Sequence, residues 1–288
     1  MSYTPGRIID GRYKILEVIG EGGHGRVYAA EDTELASRVA IKFLHPDVAA
    51  EPGFKTRMQR EARAMGQLSG TSAVQVLAFN RSDDGGMYIV MEHLEGRDLG
   101  SHLSMLEQGG VRMALDDVFG IFDPIVETLE AAHERGIIHR DLKPGNIFLL
   151  DNRSRGRVRL LDFGLAKDLK AEPLTQEGMI AGSPSYIAPE VWRGRQNQID
   201  HRIDVYSLAV VLYRVLTGEL PFDPKGRPID RFLVDVTRGP RPSLHQRRPD
   251  LPESVDEWVG KALAIEPAER FQSVFTLWSV LGLMLGRG

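Results

Sequence analysis

The densest run of charged and polar side chains in this chain stands between two apolar stretches. In IIHRDLKPGNIFLL (137–150), His139, Arg140, Asp141, Lys143 and Asn146 fall close together. Taking so many polar groups out of water is costly unless each is paired or functional, and an ordinary turn from helix to strand does not need them. A second acid, Asp162, sits in the equally apolar LLDFGLAK (160–167), where Gly164 lets the backbone move. Upstream, GEGGHGRV (20–27) spaces Gly20, Gly22 and Gly25 as G-x-G-x-x-G-x-V. Such a loop lets backbone N–H groups come close to phosphate. Alone the pattern is weak, and a hairpin turn would account for it. A dinucleotide-binding loop would open a helix, whereas RVYAAED and RVAIKFL, which follow here, read as strands. Lys42 interrupts the second of these, and lysine is rarely buried unless paired. Glu61 is a candidate partner, with Glu51 as the alternative. Two acids, an amide, a lysine and a glycine loop together compose a nucleotide–metal site.

Those residues need elements to hold them. YKILEVIG (13–20), RVYAAED (26–32), RVAIKFL (38–44) and MYIVM (87–91) are short β-branched or aromatic runs bounded by turns, as strands are. Between them FKTRMQREARAMGQL (54–68) is rich in helix formers and follows Pro52-Gly53. After residue 98 the pattern becomes helical. In 115–136, Val118, Ile121, Phe122, Ile125, Val126, Leu129 and Ala132 recur at the spacing of one buried face. Asp116 or Asp117 is expected to cap its start and Gly136 to end it, with Pro124 kinking it inside. A second helix is predicted over 203–217 before Gly218, and further helices over 229–238, 253–264 and 272–285. The expected organisation is an α+β chain of two lobes. Residues 1–91 form a strand-rich N-lobe with one main helix, 92–98 a hinge and 99–288 a mostly helical C-lobe, with a cleft where the lobes meet.

Composition narrows the chemistry. The 288 residues carry a formal charge of −4, which argues against a nucleic-acid binder, since such domains are usually basic. No cysteine is present, so disulfides, thiolate metal sites and cysteine nucleophiles are excluded, and a cytoplasmic setting is compatible. MSYTPGRIIDGRY lacks the apolar core of a signal peptide. SVFTLWSVLGLML (273–285) falls short of the roughly 20 apolar residues of a membrane span and reads as a final buried helix rather than a truncated anchor.

Taken in order, the motifs resemble the eukaryotic-type (Hanks-type) protein kinases, most of all the bacterial serine/threonine kinases. They are G-x-G-x-x-G-x-V at 20–27, V-A-I-K ending at Lys42, H-R-D at 139–141, D-F-G at 162–164 and A-P-E at 188–190. The resemblance covers about residues 11–285. It implies a bilobal kinase fold and transfer of the γ-phosphoryl group of ATP to Ser/Thr hydroxyls of protein substrates, with Mg²⁺ or Mn²⁺. ATP would lie against Gly20, Glu21, Gly22, Gly23, Gly25, Val27 and Ala40, with Met91, Glu92 and Leu94 at the base. Asp98 would reach the ribose, or else simply start a helix. By the same resemblance Lys42 holds the α/β-phosphates and Glu61 holds Lys42. Asn146 and Asp162 ligate the metal, Asp141 accepts the substrate proton, and Lys143 neutralises the transferred phosphoryl group. His139 becomes a packing residue, Asp204 a brace for the catalytic loop backbone, and Glu190 the partner of Arg270. Lys143, two residues after Asp141, and Ser183 in GSPSY favour serine and threonine over tyrosine.

LTQEGMIAGSPSYIAPE (174–190) becomes the activation and substrate-docking segment. Thr175 is the expected phosphoacceptor, with Arg140 and Lys167 as cations for its phosphate. Glu177 stands where related kinases often carry a second threonine, and could supply part of that charge permanently. A second copy of the chain as self-phosphorylation partner is implied by analogy alone. SGTSAVQVL (69–77) replaces the family's usual turn after the 54–68 helix, which bears on how firmly Glu61 is held. Two other functions compete. A kinase-fold scaffold with little catalysis would not need to retain Lys42, Asp141, Asn146 and Asp162, and a small-molecule kinase would typically lack the Ala-Pro-Glu segment.

Overall fold

A computed structural model describes residues 3–22, 25–46, 65–152, 156–163, 183–195 and 199–287. Gly23, Glu61, Gly164, Lys167, Thr175, Glu177 and the helix expected over 54–68, except its last few residues, lie outside them. The chain divides into two compact units, Met1–Glu95 and Gly96–Gly288.

The N-terminal unit is built on a six-stranded antiparallel sheet. Its strands are β1 (Ile8–Ile9), β2 (Tyr13–Gly22), β3 (Gly25–Asp32), β4 (Ser37–Leu44), β5 (Val76–Arg81) and β6 (Met87–Glu92), in the order β1-β2-β3-β4-β6-β5. β4 and β6 lie inside the sheet and are buried along most of their length, as their near-continuous apolar runs require. Tyr3, Tyr13, Tyr28, Phe43 and Tyr88 pack with Ile15, Ile41 and Val90 into one core, with Tyr3 and Phe43 ring centroids 4.3 Å apart. β5 escaped the sequence reading because its half-exposed VLAFNR shows no clean alternation.

The C-terminal unit opens with β7 (Gly96–Asp98), which joins β8 (Ile147–Leu150) and β9 (Val158–Leu160) in a small antiparallel sheet. Its helices are α1 (Leu99–Gln108), α2 (Leu115–Glu134), α3 (Pro189–Trp192), α4 (Arg202–Thr217), α5 (Ile229–Arg238), α6 (Val255–Ala262) and α7 (Val274–Met284). α4 is buried nearly all round, as a central helix must be, and packs against α6 and α7. It ends at Gly218, whose φ of 78° is the left-handed stop favoured by glycine. Trp258 and Trp278 are buried here, and Trp192 on α3 meets Phe232 of α5 edge-on. α7 is the buried helix predicted over 272–285, and among the described residues no helix is long and apolar enough to cross a membrane.

The expected cap of α2 is corrected. Ala114 holds the N-cap position without a side-chain bond, and Asp116 and Asp117 lie in the first turn, where they complement the helix dipole. Gly136, at φ 71°, follows the C-cap as expected. No range was predicted for α1, but Asp98 starts it, the helix-start alternative read from the sequence, accepting from Ser101 N at 2.9 Å and Ser101 Oγ at 2.5 Å.

Candidate active site

Asp141 and its neighbours lie on an irregular stretch that leaves α2 and enters β8 through a 3₁₀ turn, Pro144–Asn146. A loop of this kind has few backbone bonds of its own, so something must fix it. Asp204, fully buried on α4, does so. Its carboxylate accepts from the His139 N–H at 2.7 Å, the Arg140 N–H at 2.9 Å and His133 Nε2 at 2.8 Å. Burial alone would raise the Asp204 pKa, but these donors, His133 foremost, hold it below the usual carboxylate range. The brace sits where the backbone is strained, because Arg140 has φ 65°, a conformation L side chains rarely adopt.

His139 is a packing residue, as the resemblance implied. It is fully buried, with its ring 4.7 Å from that of Phe163. Nδ1 accepts from the Asp141 N–H at 3.3 Å, so the proton belongs on Nε2, which donates to the Leu161 carbonyl at 2.9 Å. Burial pushes its pKa down and keeps the ring neutral.

Asp141, Lys143 and Asn146, all three predicted, come together. Lys143 Nζ donates to Asp141 Oδ2 at 2.8 Å. Asn146 Nδ2 donates to the same oxygen at 3.0 Å and to the Asp141 carbonyl at 2.8 Å. With its amide hydrogens turned to Asp141, Asn146 presents Oδ1, a hard oxygen of the kind divalent cations take. Asp162 follows Leu161, whose N–H donates to the Asn146 carbonyl at 2.8 Å and whose carbonyl receives His139. Asp162 itself has φ 47°, a second strained backbone position at this site. Among the described residues no cluster of three or more His, Asp or Glu side chains is arranged as a metal cage. The oxygen set of Asp162 and Asn146 fits an ion that keeps phosphate and water in its shell.

The N-terminal unit carries the other predicted set. β3 pairs with β4 so that Val27 stands opposite Lys42, two residues beyond Gly25. Lys42 is 8% exposed within its apolar strand. Ala40, also buried, pairs with Met91. The Glu92 N–H already donates to the Gln75 carbonyl at 3.0 Å, and Leu94 lies beyond β6 in the stretch leading to Gly96. Glu21 pairs with Arg26 at 2.6 Å. Of Gly20, Gly22 and Gly25, only Gly25 is demanded by the fold: a Cβ there would meet the Phe43 carbonyl oxygen at 2.0 Å. Among the described residues a Cβ on Gly22 would meet nothing within 4 Å, and one on Gly20 only ordinary contacts with Val27.

The model of the protein kinase domain family matches residues 13–276. The chain belongs to the protein kinase family. Its curated relatives include the serine/threonine-protein kinase PksC of Streptomyces coelicolor, 39% identical over 94% of this chain and 48% of that protein. PrkC of Bacillus subtilis, also a serine/threonine-protein kinase, is 36% identical over 93% of this chain and 40% of its own length. The chain thus spans less than half the length of these relatives. Among solved structures, the kinase domain of Mycobacterium tuberculosis PknI is 28% identical, with a TM-score of 0.76 over 99% of this chain and all of that one. The fold is the bilobal kinase fold, with a strand-rich first unit and a mostly helical second.

Two further expected contacts are present. Arg270 and Glu190 form a buried fork-on-fork pair at 2.8 and 2.6 Å, and Asp204 is the loop brace. Sequence reasoning missed His133 as a partner of Asp204. Its position on the buried face of α2, six residues before His139, was the available signal.

Proposed function

We propose that this kinase domain transfers the γ-phosphoryl group of Mg-ATP to serine and threonine hydroxyls of proteins. The observation that carries the reading is the Asp141–Lys143–Asn146 arrangement, held on a loop that a buried aspartate braces. Asp141 accepts the proton as the substrate oxygen bonds to the γ-phosphorus. The bond from that phosphorus to the β–γ bridging oxygen breaks, and ADP leaves. Lys143, already on Asp141, offers its ammonium to the charge spreading over the transferred group. Asn146 and Asp162 are the residues to hold Mg²⁺, or Mn²⁺ in its place; the ion neutralises phosphate charge when bound. Lys42 takes the α/β-phosphates, with Glu61 as its partner. Among the described residues nothing stands within 4 Å of a Cβ built on Gly22, which supports a phosphate-covering role for that loop. Glu21, Val27, Ala40, Met91, Leu94 and the Glu92 carbonyl line the nucleotide in this reading.

Control by the activation segment belongs to the same proposal. Thr175 is the phosphoacceptor, Arg140 and Lys167 receive its phosphate, and Glu177 supplies standing charge. A second copy of the chain is the partner for self-phosphorylation, and dependence on ATP argues for a cytoplasmic site of action.

Incubating the chain with Mg-ATP and a generic protein acceptor tests the reading. Phosphoserine and phosphothreonine should form, and Asp141→Asn should slow transfer by about 10²- to 10⁴-fold, the usual worth of a positioned base. If wild type phosphorylates neither itself nor the acceptor, the scaffold reading takes its place.

A further inference from the structure

Tyr186 stands three residues before Pro189, in the 3₁₀ turn Pro184–Tyr186 that precedes α3. α4 holds this residue at two points. Ser207 Oγ lies 2.7 Å from the Tyr186 carbonyl and 2.9 Å from the Ile203 carbonyl, so its single proton serves one or the other. Arg214 Nη1 donates to the Tyr186 hydroxyl at 3.3 Å. Positions 207 and 214 are two helical turns apart and share a face, so both grips come from one rigid edge.

Arg214 is itself held from another element. Its Nε and Nη2 donate to the two carboxylate oxygens of Glu107 on α1 at 3.0 and 3.1 Å, the bidentate geometry that fixes a guanidinium in both position and plane. Burial opposes the charge on Arg214, yet its bonds to Glu107 and Tyr186 hold its pKa above the ordinary arginine value. Unlike the sealed pair of Arg270 and Glu190, at 0% and 1% exposure, Arg214 and Glu107 keep 20% and 29%. A half-wet pair of this kind contributes little to overall stability. Its worth lies in where it puts the Tyr186 ring.

We propose that Arg214, oriented by Glu107, is a positioning residue for the protein substrate. Acting through Tyr186, it fixes residues 183–188 and so sets affinity for the acceptor protein without touching ATP or the reacting atoms. The proposal rests on the kinase reading above, in which this segment docks the acceptor. None of Tyr186, Ser207, Arg214 and Glu107 is among the residues assigned above to ATP or its metal. The effect should therefore fall on one substrate and spare the other.

The test is steady-state phosphorylation of myelin basic protein by the full chain, with KM measured separately for that protein and for Mg-ATP. Arg214→Met should raise the KM for myelin basic protein about five- to tenfold, the signature of lost ground-state binding, with kcat and the KM for ATP nearly unchanged. Tyr186→Phe, which removes only the hydroxyl, should move the same constant in the same direction. The double variant Glu107→Arg with Arg214→Glu rebuilds the pair in reverse and should recover most of the loss. Thermal melts confirm that each variant is folded. Amide hydrogen exchange at residues 183–188 should quicken in Arg214→Met, which reports on the clamp without any turnover. Unchanged exchange and an unchanged KM for myelin basic protein would overturn the proposal, as would a parallel rise in the KM for ATP. A wild type that phosphorylates nothing would instead remove the kinase reading, and this role with it.

Discussion

At the scale of single residues the site is a set of groups whose protonation and placement are imposed by neighbours. His139 has the sharpest consequence. Its ring is neutral in the folded chain because burial pushes its pKa down, whereas in the unfolded chain it titrates near its ordinary value of about 6.5. Below that pH the unfolded state binds a proton the folded state refuses, so stability must fall as pH falls. The slope from this one residue has an upper limit of about 1.4 kcal/mol per pH unit, reached where the unfolded state holds one full proton more. Urea unfolding at several pH values between about 7 and 5 measures it. His139→Phe should flatten the curve. Glycine positions give a second contrast. Gly25→Ala places a Cβ on the Phe43 carbonyl and should destabilise the chain by more than about 1 kcal/mol. Gly22→Ala meets no atom of the described residues, so it should leave the melting temperature alone while raising the KM for ATP. Equal melting losses in the two variants would contradict this reading of the loop.

Elements matter here mainly as levers that hold the loops. Arg270 shows how a loop-borne side chain locks several of them. Its guanidinium reaches both oxygens of Glu190 and the carbonyls of Ala264, Ile265 and Arg202, so all five N–H donors have partners. Arg270→Met strands a buried carboxylate and should cost about 3–5 kcal/mol in denaturant unfolding. Arg270→Lys cannot reproduce the fork and should recover little of that loss. An apolar pair, Glu190→Leu with Arg270→Met, should recover more, since no charge is then left unpaired.

This level also marks how far the chain could be read from its residues. Strands β2, β3, β4 and β6 and helices α2, α4, α5, α6 and α7 were legible because their apolar spacing is regular. α1 was not, since Leu99 and Leu103 are its only buried residues and its start depends on Asp98, a residue also fit for a ligand. Asp141, Lys143 and Asn146 were legible because they crowd one short stretch between apolar runs. The links from Asp204 to His133, and from Glu107 through Arg214 to Tyr186, were not. Each joins residues more than 25 positions apart, and no local spacing reports on such a meeting.

At the scale of the whole molecule the two units rest on different materials. Met1–Glu95 is a sheet filled by tyrosine and phenylalanine, with Tyr3, Tyr13, Tyr28 and Tyr88 in its core. Gly96–Gly288 gathers around a helix buried on nearly every side and holds Trp192, Trp258 and Trp278, the only tryptophans in the chain. That division makes the chain its own spectroscopic label. Light at the red edge of the absorption band excites tryptophan alone, so the emission follows the C-terminal unit, while far-ultraviolet dichroism follows the backbone of both. If the two units unfold as one body, the melting curves from the two signals should superimpose. A dichroism transition that begins before the emission shifts would show the sheet unit coming apart first, and adding ATP would then report, without any engineered probe, whether nucleotide binding ties its stability to that of its neighbour.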